Sequence, residues 1–389
     1  MEAMSVAASS MLKVRPVEGR GELSAFIRLP RKLYRGMPGF VPPLDLERRQ
    51  MLHPAHAPLF ERAEVQYWLA WREGRPVGRI SAQIDPLALQ AWGAAIGMFG
   101  CLDAVDDGAV VTALVEEAAS WLAARGMTRM RGPFLLSING EPGLQIEGQD
   151  RPAMLLMPWH PSYLAGHVTA AGLYPVKDLL AYSLSLAERA HNGKPRIPQI
   201  LTGRVSIRPL DHKRIASEAE ALRSIFNDAW RRNWGHVPLT ANEVEKLTRA
   251  LRPLIFSDSI VFVEKDREPV AFALVLPNLY DIVRDFDGHL LPFNWMRLGW
   301  RLFRRSFRSA RVLLMGVRSE LQFSVFGAIL PLLMIEELIR RARHFQIDEI
   351  EMGWILEDNG RVRSLIEANG GTLSRRYRLF ECNLGHTRR

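Results

Sequence analysis

Hydrophobic and polar positions repeat the same layout twice along the chain. Residues 65–84, VQYWLAWREGRPVGRISAQI, read as two apolar strands around a charged turn at 72–75. Residues 260–276, IVFVEKDREPVAFALVL, read the same way around a turn at 265–268. Pro76-Val77 and Pro269-Val270 hold matching places, 193 residues apart. A helical period follows in each half, at 110–125 and at 332–345, and then a strand, at 127–134 and at 347–355. Each half closes with a helix, a glycine and a strand: 167–172 into 179–186, and 361–371 into 377–384. The pattern predicts a tandem duplication of one α+β unit, each copy a mixed, mostly antiparallel sheet flanked by helices.

The spacing between the copies is uneven, which locates two insertions, 135–157 in the first half and 281–311 in the second. Loops added to a rigid scaffold tend to carry specificity. The predicted bounds are a flexible N-terminus over 1–25, a first domain over 26–186, a polar linker over 187–203 with two prolines, and a second domain over 204–389.

Composition narrows the class. A chain of 389 residues with 48% hydrophobic and 24% charged residues is globular rather than disordered. Two cysteines, Cys101 and Cys382, cannot staple so long a chain, which suggests a reducing compartment. The longest near-apolar run, 323–335, is broken by Ser324, Gly327 and Pro331 and falls short of the ~20 residues a bilayer span needs. The N-terminus lacks a basic segment followed by an apolar one, so a cytoplasmic protein, soluble or peripheral, is expected. The net charge of +9 points to anionic partners: nucleic acid, a membrane surface or a phosphorylated cofactor.

Much of that charge lies in the second insertion. On a helix starting at Trp295, Arg297, Arg301, Arg304, Arg305 and Arg308 share one face. Trp295, Met296, Leu298, Trp300, Leu302, Phe303 and Phe307 take the other, and no acid occurs from His289 to Arg311. Such a helix suits the headgroup region of an anionic membrane, or else packs its apolar side on the sheet. The membrane reading assigns contact to Trp295, Trp300, Arg301, Phe303, Arg304, Phe307 and Arg308 at the cytoplasmic face of the inner membrane.

The order strand–helix–helix–hairpin–strand–helix–strand–helix–strand resembles the GNAT acyltransferases. In the second half, 205–210 would be the first strand, 218–231 and 242–251 the first helices, 312–317 the central strand, and the next helix would start near 329. That family's pyrophosphate turn reads Gln/Arg-x-x-Gly-x-Gly/Ala, and its amides face the phosphates at a helix N-terminus. Gln322 and Gly327 match it, while Val325 stands at the middle glycine and weakens coenzyme binding there. The first half has Asp103-Ala-Val-Asp-Asp-Gly108 in that place, which would repel phosphate. The segments PGFVPPL (38–44), SINGEPGLQIEG (137–148), NDAWRRNWGHVPLT (227–240) and GWILEDNGRVRSLIEANGG (353–371) narrow the likeness. With them the chain resembles, from about residue 26 to 384, tandem GNAT proteins that include the bacterial ceramide synthases. The resemblance implies transfer of a fatty acyl group from acyl-CoA, a cosubstrate rather than a permanently bound cofactor, to the amine of a sphingoid base, sphinganine or 3-ketosphinganine. It also implies cofactor contacts at Met315, Gly316, Val317, Gln322, Gly327 and Asn359.

Amide formation from a thioester needs a base for the amine, donors for the oxyanion and an acid for the thiolate. Glu141, in a turn-rich stretch, is the first candidate base, with Glu351 and Glu357 as competitors. On its strand Glu351 shares a face with Glu349, which a solvated sheet face also explains. Tyr377 could protonate the thiolate, or be a core residue of the closing strand. Asn359 could bind pantetheine or cap a helix. Asn227, Trp230 and Trp234 share a face if their helix runs to Gly235, and with Asn233 and His236 could wall a substrate pocket or bury a joint. Asn139 and Trp354 join the substrate set, and His160 reads as structural. No metal site is expected: His53 and His56 have Pro54 between them and nothing completes the set. A tandem acetyltransferase acting on a soluble amine, and a catalytically inactive GNAT-like binding protein, are the rival readings. No recognition helix for nucleic acid is evident, so none is expected as a partner.

Overall fold

In the computed structural model the described residues are 11–191, 205–344 and 346–385. They form two compact units. Unit 1 draws on Met1–Leu179, Phe286–Leu291 and Arg375–Arg389, and unit 2 on Leu180–Asp285 and Pro292–Ser374. The units therefore differ from the predicted domains: the second insertion gives one short segment to unit 1, and so does the C-terminal strand. Of the expected flexible stretch 1–25, residues 1–10 lie outside the described residues, and the rest forms a strand, Lys13–Pro16, and the start of a helix, Gly19–Leu33. The first residues of the expected linker finish a helix, Leu186–His191, and 192–203 lie outside the described residues.

Unit 1 is built on β1 (Lys13–Pro16), β2 (Glu64–Arg72), β3 (Arg75–Ile84), β4 (Ile96–Ala104) and β5 (Arg129–Gly132), in that spatial order. The first predicted hairpin is β2–β3, and its two-residue turn holds Glu73 and Gly74 at positive φ, as a tight twisted hairpin requires. A short β6 (Leu144–Glu147) and the first part of β7 (Tyr174–Ser185) follow; β7 begins before the predicted 179 because its exposed first residues break the apolar pattern. Helices cover both faces. The Gly108–Ala123 and Tyr163–Ala170 helices bury Val110, Leu114, Ala118, Leu122, Leu164 and Val168 against Trp68, Ile80 and Phe99. The Gly19–Leu33 and Asp45–Leu52 helices bring Phe26, Leu29 and Leu52 against Tyr67 and Leu69 on the other face.

Unit 2 repeats the plan with β8 (Ser206–Pro209), β9 (Ile260–Lys265), β10 (Glu268–Pro277), β11 (Ser309–Val317) and β12 (Glu349–Leu356), in the spatial order β12-β11-β10-β9-β8. Its hairpin turn, Asp266-Arg267, also lies at positive φ. The Ile215–Trp230 helix packs on β11 where Gly316 leaves room: a Cβ there would come within 3.5 Å of Ile225 and Ala229. The Ala241–Leu251 helix starts from a capping box of Thr240 and Glu243. The Val325–His344 helix begins ahead of the predicted 332 and carries Pro331 inside. The C-terminal strand, β13 (Thr372–Asn383), pairs with β5 and β6 through its unit 1 residues, Phe380 opposite Gly132 and Tyr377 opposite Gln145.

The insertion helix is shorter than its periodicity suggests. It spans Asn294–Phe303, and Arg305 takes a positive φ just beyond. Arg308 is thus off the helix, and Phe307, expected at a membrane, is 3% exposed and belongs to the core.

Unit 1 contains a backbone contact that tolerates no side chain. A Cβ on Gly100 would lie 1.6 Å from the carbonyl oxygen of Phe134. Gly100→Ala is expected to lower unfolding free energy by about 3 kcal/mol or more in urea titrations. Gly166→Ala, in a helix with nothing within 4 Å of the new Cβ, should match or exceed wild type.

Candidate functional site

In unit 2, β11 and β12 run parallel and are paired from Ser309–Glu349 to Val312–Met352. Beyond that pairing β11 continues to Val317 and β12 to Leu356, so the two strands part into a fork. The Arg318 amide donates to the Val270 carbonyl on the β10 side, so by alternation the main-chain groups of Met315 and Val317 point into the fork. Their carbonyls are already engaged. Trp230 Nε1 donates to Met315 at 3.2 Å, and Gln322 Nε2 donates to Val317 at 2.9 Å. The amide edge of β11 is what the fork presents to an extended polar chain.

At the vertex of the fork, Arg311 and Glu351 stand opposite each other in register, and each is 1% exposed. Arg311 Nη2 donates to the Gly353 carbonyl at 3.1 Å, and its guanidinium lies 4.4 Å over the ring of half-buried Trp354. Ionised groups at such depth are costly unless charge or hydrogen bonds offset the lost hydration. The solvated-face explanation of Glu351 therefore fails; Glu349 remains half-buried and accepts from the Ser183 hydroxyl. Glu357, past the end of β12, is half-buried and offers its carbonyl to Arg363 Nη1 at 2.8 Å. Asn359 caps the Gly360–Ala368 helix by accepting from Val362 at 3.3 Å.

The loop between β11 and the next helix is tied down by its own residues. Asp228 accepts from the Ser319 amide (2.7 Å) and hydroxyl (2.8 Å), and Gln322 Nε2 also donates to Ala229. Ser324 donates to Leu321 and accepts from the Gly327 amide at 2.9 Å, capping the Val325–His344 helix. A Cβ on Gly327 would sit 1.8 Å from the Leu321 carbonyl. Gln322 and Gly327 thus build the loop, and one of the amides that could face a phosphate is already capped.

The 227–240 segment is a clamp on this side of the fork. Asn227 donates to the Leu239 carbonyl (3.0 Å) and accepts from its amide (2.9 Å). Trp230 packs on Phe226 at 4.9 Å, and His236 lies 5.8 Å from Phe226. Burial lowers the pKa of His236, which favours the neutral ring. The helix ends at Trp230, so Trp234 does not continue the face of Asn227 and Trp230. Asn233 and Trp234 are half-buried in the turn that follows.

Glu141 and Tyr377 belong to unit 1. A bridge between Phe134 and Pro142 closes the loop that carries half-buried Asn139, and the Leu135 amide donates to the Glu141 carbonyl at 3.0 Å. The Glu141 carboxylate is 4% exposed and lies 2.7 Å from Arg48 Nη1. Beside Arg48, Glu47 has both carboxylate oxygens sealed from solvent. Burial, and then the nearby Glu141, raise its pKa against the opposing pull of Arg48. Neither Glu47 nor Arg48 was anticipated; the only signal was the cluster of charges that follows PGFVPPL. Tyr377 is 1% exposed beneath Gly143, whose Cβ would come 2.9 Å from the Tyr377 Cβ. It was expected in the second domain and instead lies with the Glu141 loop. His160 accepts from the Gln145 amide at 3.1 Å, and burial brings its pKa down to about 4, the behaviour of a structural histidine. Among the described residues no three His, Cys, Asp or Glu side chains cluster to hold a metal.

No family model matches the chain. It is 40% identical to the bacterial ceramide synthase of Caulobacter vibrioides over 372 residues, 95% of this chain and 97% of that protein. It is 39% identical to protein YghO of Escherichia coli over 371 residues, 95% of this chain and 94% of that one. Among solved structures, a tandem GNAT protein from the clavulanic acid biosynthesis pathway superposes with a TM-score of 0.58 at 13% identity, over 96% of this chain and 99% of that one. A probable N-acyltransferase from Enterococcus faecalis gives 0.51 at 8% identity, over 97% of this chain and 74% of that one. These structures establish the tandem GNAT fold.

The fork's vertex makes a stability prediction. Arg311→Met leaves Glu351 buried without the opposite charge and should cost about 3–5 kcal/mol in denaturant unfolding. The double variant Arg311→Met, Glu351→Leu should recover most of that loss; no recovery would show that the two side chains are not coupled.

Proposed function

The chain belongs to the bacterial ceramide synthase family, and from that premise we propose that it is an acyl-CoA-dependent N-acyltransferase acting on the amine of a sphingoid base, sphinganine or 3-ketosphinganine. The observation that carries this reading is the 40% identity to a bacterial ceramide synthase along 95% of the chain. The fork supports it on physical grounds: an open strand edge with inward-facing amides at Met315 and Val317 suits the amide-bearing arm of coenzyme A. In the reaction the neutral amine attacks the thioester carbonyl, the C–N bond forms and the C–S bond breaks. The nitrogen loses a proton to a base and coenzyme A leaves as the thiol.

We assign the base to Glu141. Its carboxylate is held 2.7 Å from Arg48 Nη1, and at 4% exposure little water reaches it. Glu351 faces Arg311 at the fork's vertex and serves to hold the strands, and Glu357 is the less buried competitor. Tyr377, buried in the same unit as Glu141, is the candidate acid for the thiolate. Since the acyl group and the amine are both lipid-borne, we place the reaction at the cytoplasmic face of the inner membrane, with the protein peripheral to it. Among the described residues no helix is long and apolar enough to cross a membrane.

Purified protein incubated with sphinganine and either palmitoyl-CoA or acetyl-CoA, followed by thiol release and mass spectrometry of lipids, tests the reading. Turnover with the long-chain donor alone is expected. Turnover with acetyl-CoA alone would make it a short-chain acetyltransferase, and silence in every pairing would leave a binding protein. Glu141→Gln should lower kcat by about 10²–10⁴-fold with the fold intact, and Glu357→Gln by far less; the reverse order would move the base to unit 2.

A further inference from the structure

The Asn294–Phe303 helix is turned inside out. None of its residues is buried. Trp295 is 56% exposed, Met296 50%, Trp300 57% and Phe303 86%, and Phe293 just ahead of it is 66% exposed. At helical spacing Phe293, Met296, Trp300 and Phe303 form one stripe with Trp295 at its margin, and that stripe faces solvent. The inward side is the more polar one. Asn294, Leu298, Arg301 and Leu302 are its half-buried residues.

The arginines divide in two. Arg301 donates to the Ile282 carbonyl and to Asp285, both at 2.6 Å, and Arg297 also pairs with Asp285. The Arg301 hydrogen bond brings the Asp285 pKa down to about 2. These two cations therefore fasten the helix to the segment before it. Arg304 lies over the Trp300 ring at 4.7 Å, Arg305 lies over Phe256 at 4.7 Å, and both are exposed, as is Arg308. The exposed positive charge of Arg304 and Arg308 thus sits at the C-terminal end of the apolar stripe rather than along the helix.

We propose that this face docks on an anionic lipid bilayer, with Phe293, Met296, Trp300 and Phe303 entering the headgroup–acyl boundary and Arg304 and Arg308 meeting lipid phosphates. Exposed large apolar side chains gain by leaving water, and tryptophan rings suit the interface. The charge is complementary to anionic headgroups and holds the helix in the plane of the surface. The choice of a bilayer as the occupant rests on the lipid-substrate reading; the stripe and its charged end do not.

Sedimentation of the full chain with vesicles of phosphatidylcholine alone, and of phosphatidylcholine with phosphatidylglycerol, reads the docking without any turnover. Binding is expected only with phosphatidylglycerol and should weaken at high salt. The variant Trp300→Asp, Phe303→Asp should lose at least about tenfold in affinity. Arg304→Glu, Arg308→Glu should abolish the preference for the anionic lipid. Unchanged thermal melting would show that both variants are folded. No vesicle binding, equal binding to both vesicles, or a concentration-dependent dimer lost in the aspartate variant would overturn the proposal, the last by assigning the face to a second copy. Turnover of wild type on detergent-dispersed sphinganine and palmitoyl-CoA, without vesicles, is measured separately, so that either reading can fail alone.

Discussion

The candidate thioester site of unit 2 depends on one parting of strands. β11 and β12 separate after Val312 and Met352, and two buried side chains of opposite charge stand one residue before the separation. Arg311 reaches past its register neighbour Glu351. It reaches the Gly353 carbonyl and covers the Trp354 ring, so it holds the first residues of β12 that no longer pair with β11. Desolvating a guanidinium and a carboxylate is costly, so groups this deep demand compensation by charge or hydrogen bonds.

The same logic runs through the loop beyond β11. Asp228, Gln322, Ser324 and Gly327 spend their polar groups on the loop and its neighbouring helix. A side-chain reading of Gln322 as a phosphate ligand assigns to the cofactor an amide that already joins Val317 to Ala229. What remains for a ligand is main chain, which is also why the residue types along β11 are so plain.

Local patterns made the fold legible. Alternation gave both hairpins and their turns, and the helical period gave the Gly108–Ala123 helix to within a few residues while missing the first turns of Val325–His344. The failures share a cause: periodicity does not know where a helix stops. Arg305 at positive φ ends the insertion helix, which sends Phe307 into the core and Arg308 off the helix. Trp230 ends another, which removes Trp234 from its expected face. The site was less legible because its pairings are distant in sequence. Arg48 with Glu141, Arg311 with Glu351, and Tyr377 beneath Gly143 are each set by tertiary packing, and no spacing rule announces them. Tyr377 also falls in unit 1 because the closing strand leaves the half to which its sequence position assigns it.

The two copies have resolved the same stretch of fold in opposite ways. In unit 1, β4 and β5 pair from Ile96–Arg129 to Met98–Arg131, and the contact goes on: the Phe134 amide donates to Phe99, with Gly100 and Gly132 admitting the close approach. The helix that follows β4 is capped by Asp107, which accepts from the Ala109 amide and pairs with Arg72, so a carboxylate fills the place a phosphate would need. Among the described residues of unit 1, then, β4 and β5 do not part as β11 and β12 do, and the helix after β4 is capped by a carboxylate where Ser324 caps its counterpart in unit 2. The backbone contact that closes its sheet is also what starts the loop carrying Glu141, since Phe134 is held at one end by Phe99 and at the other by its bridge to Pro142.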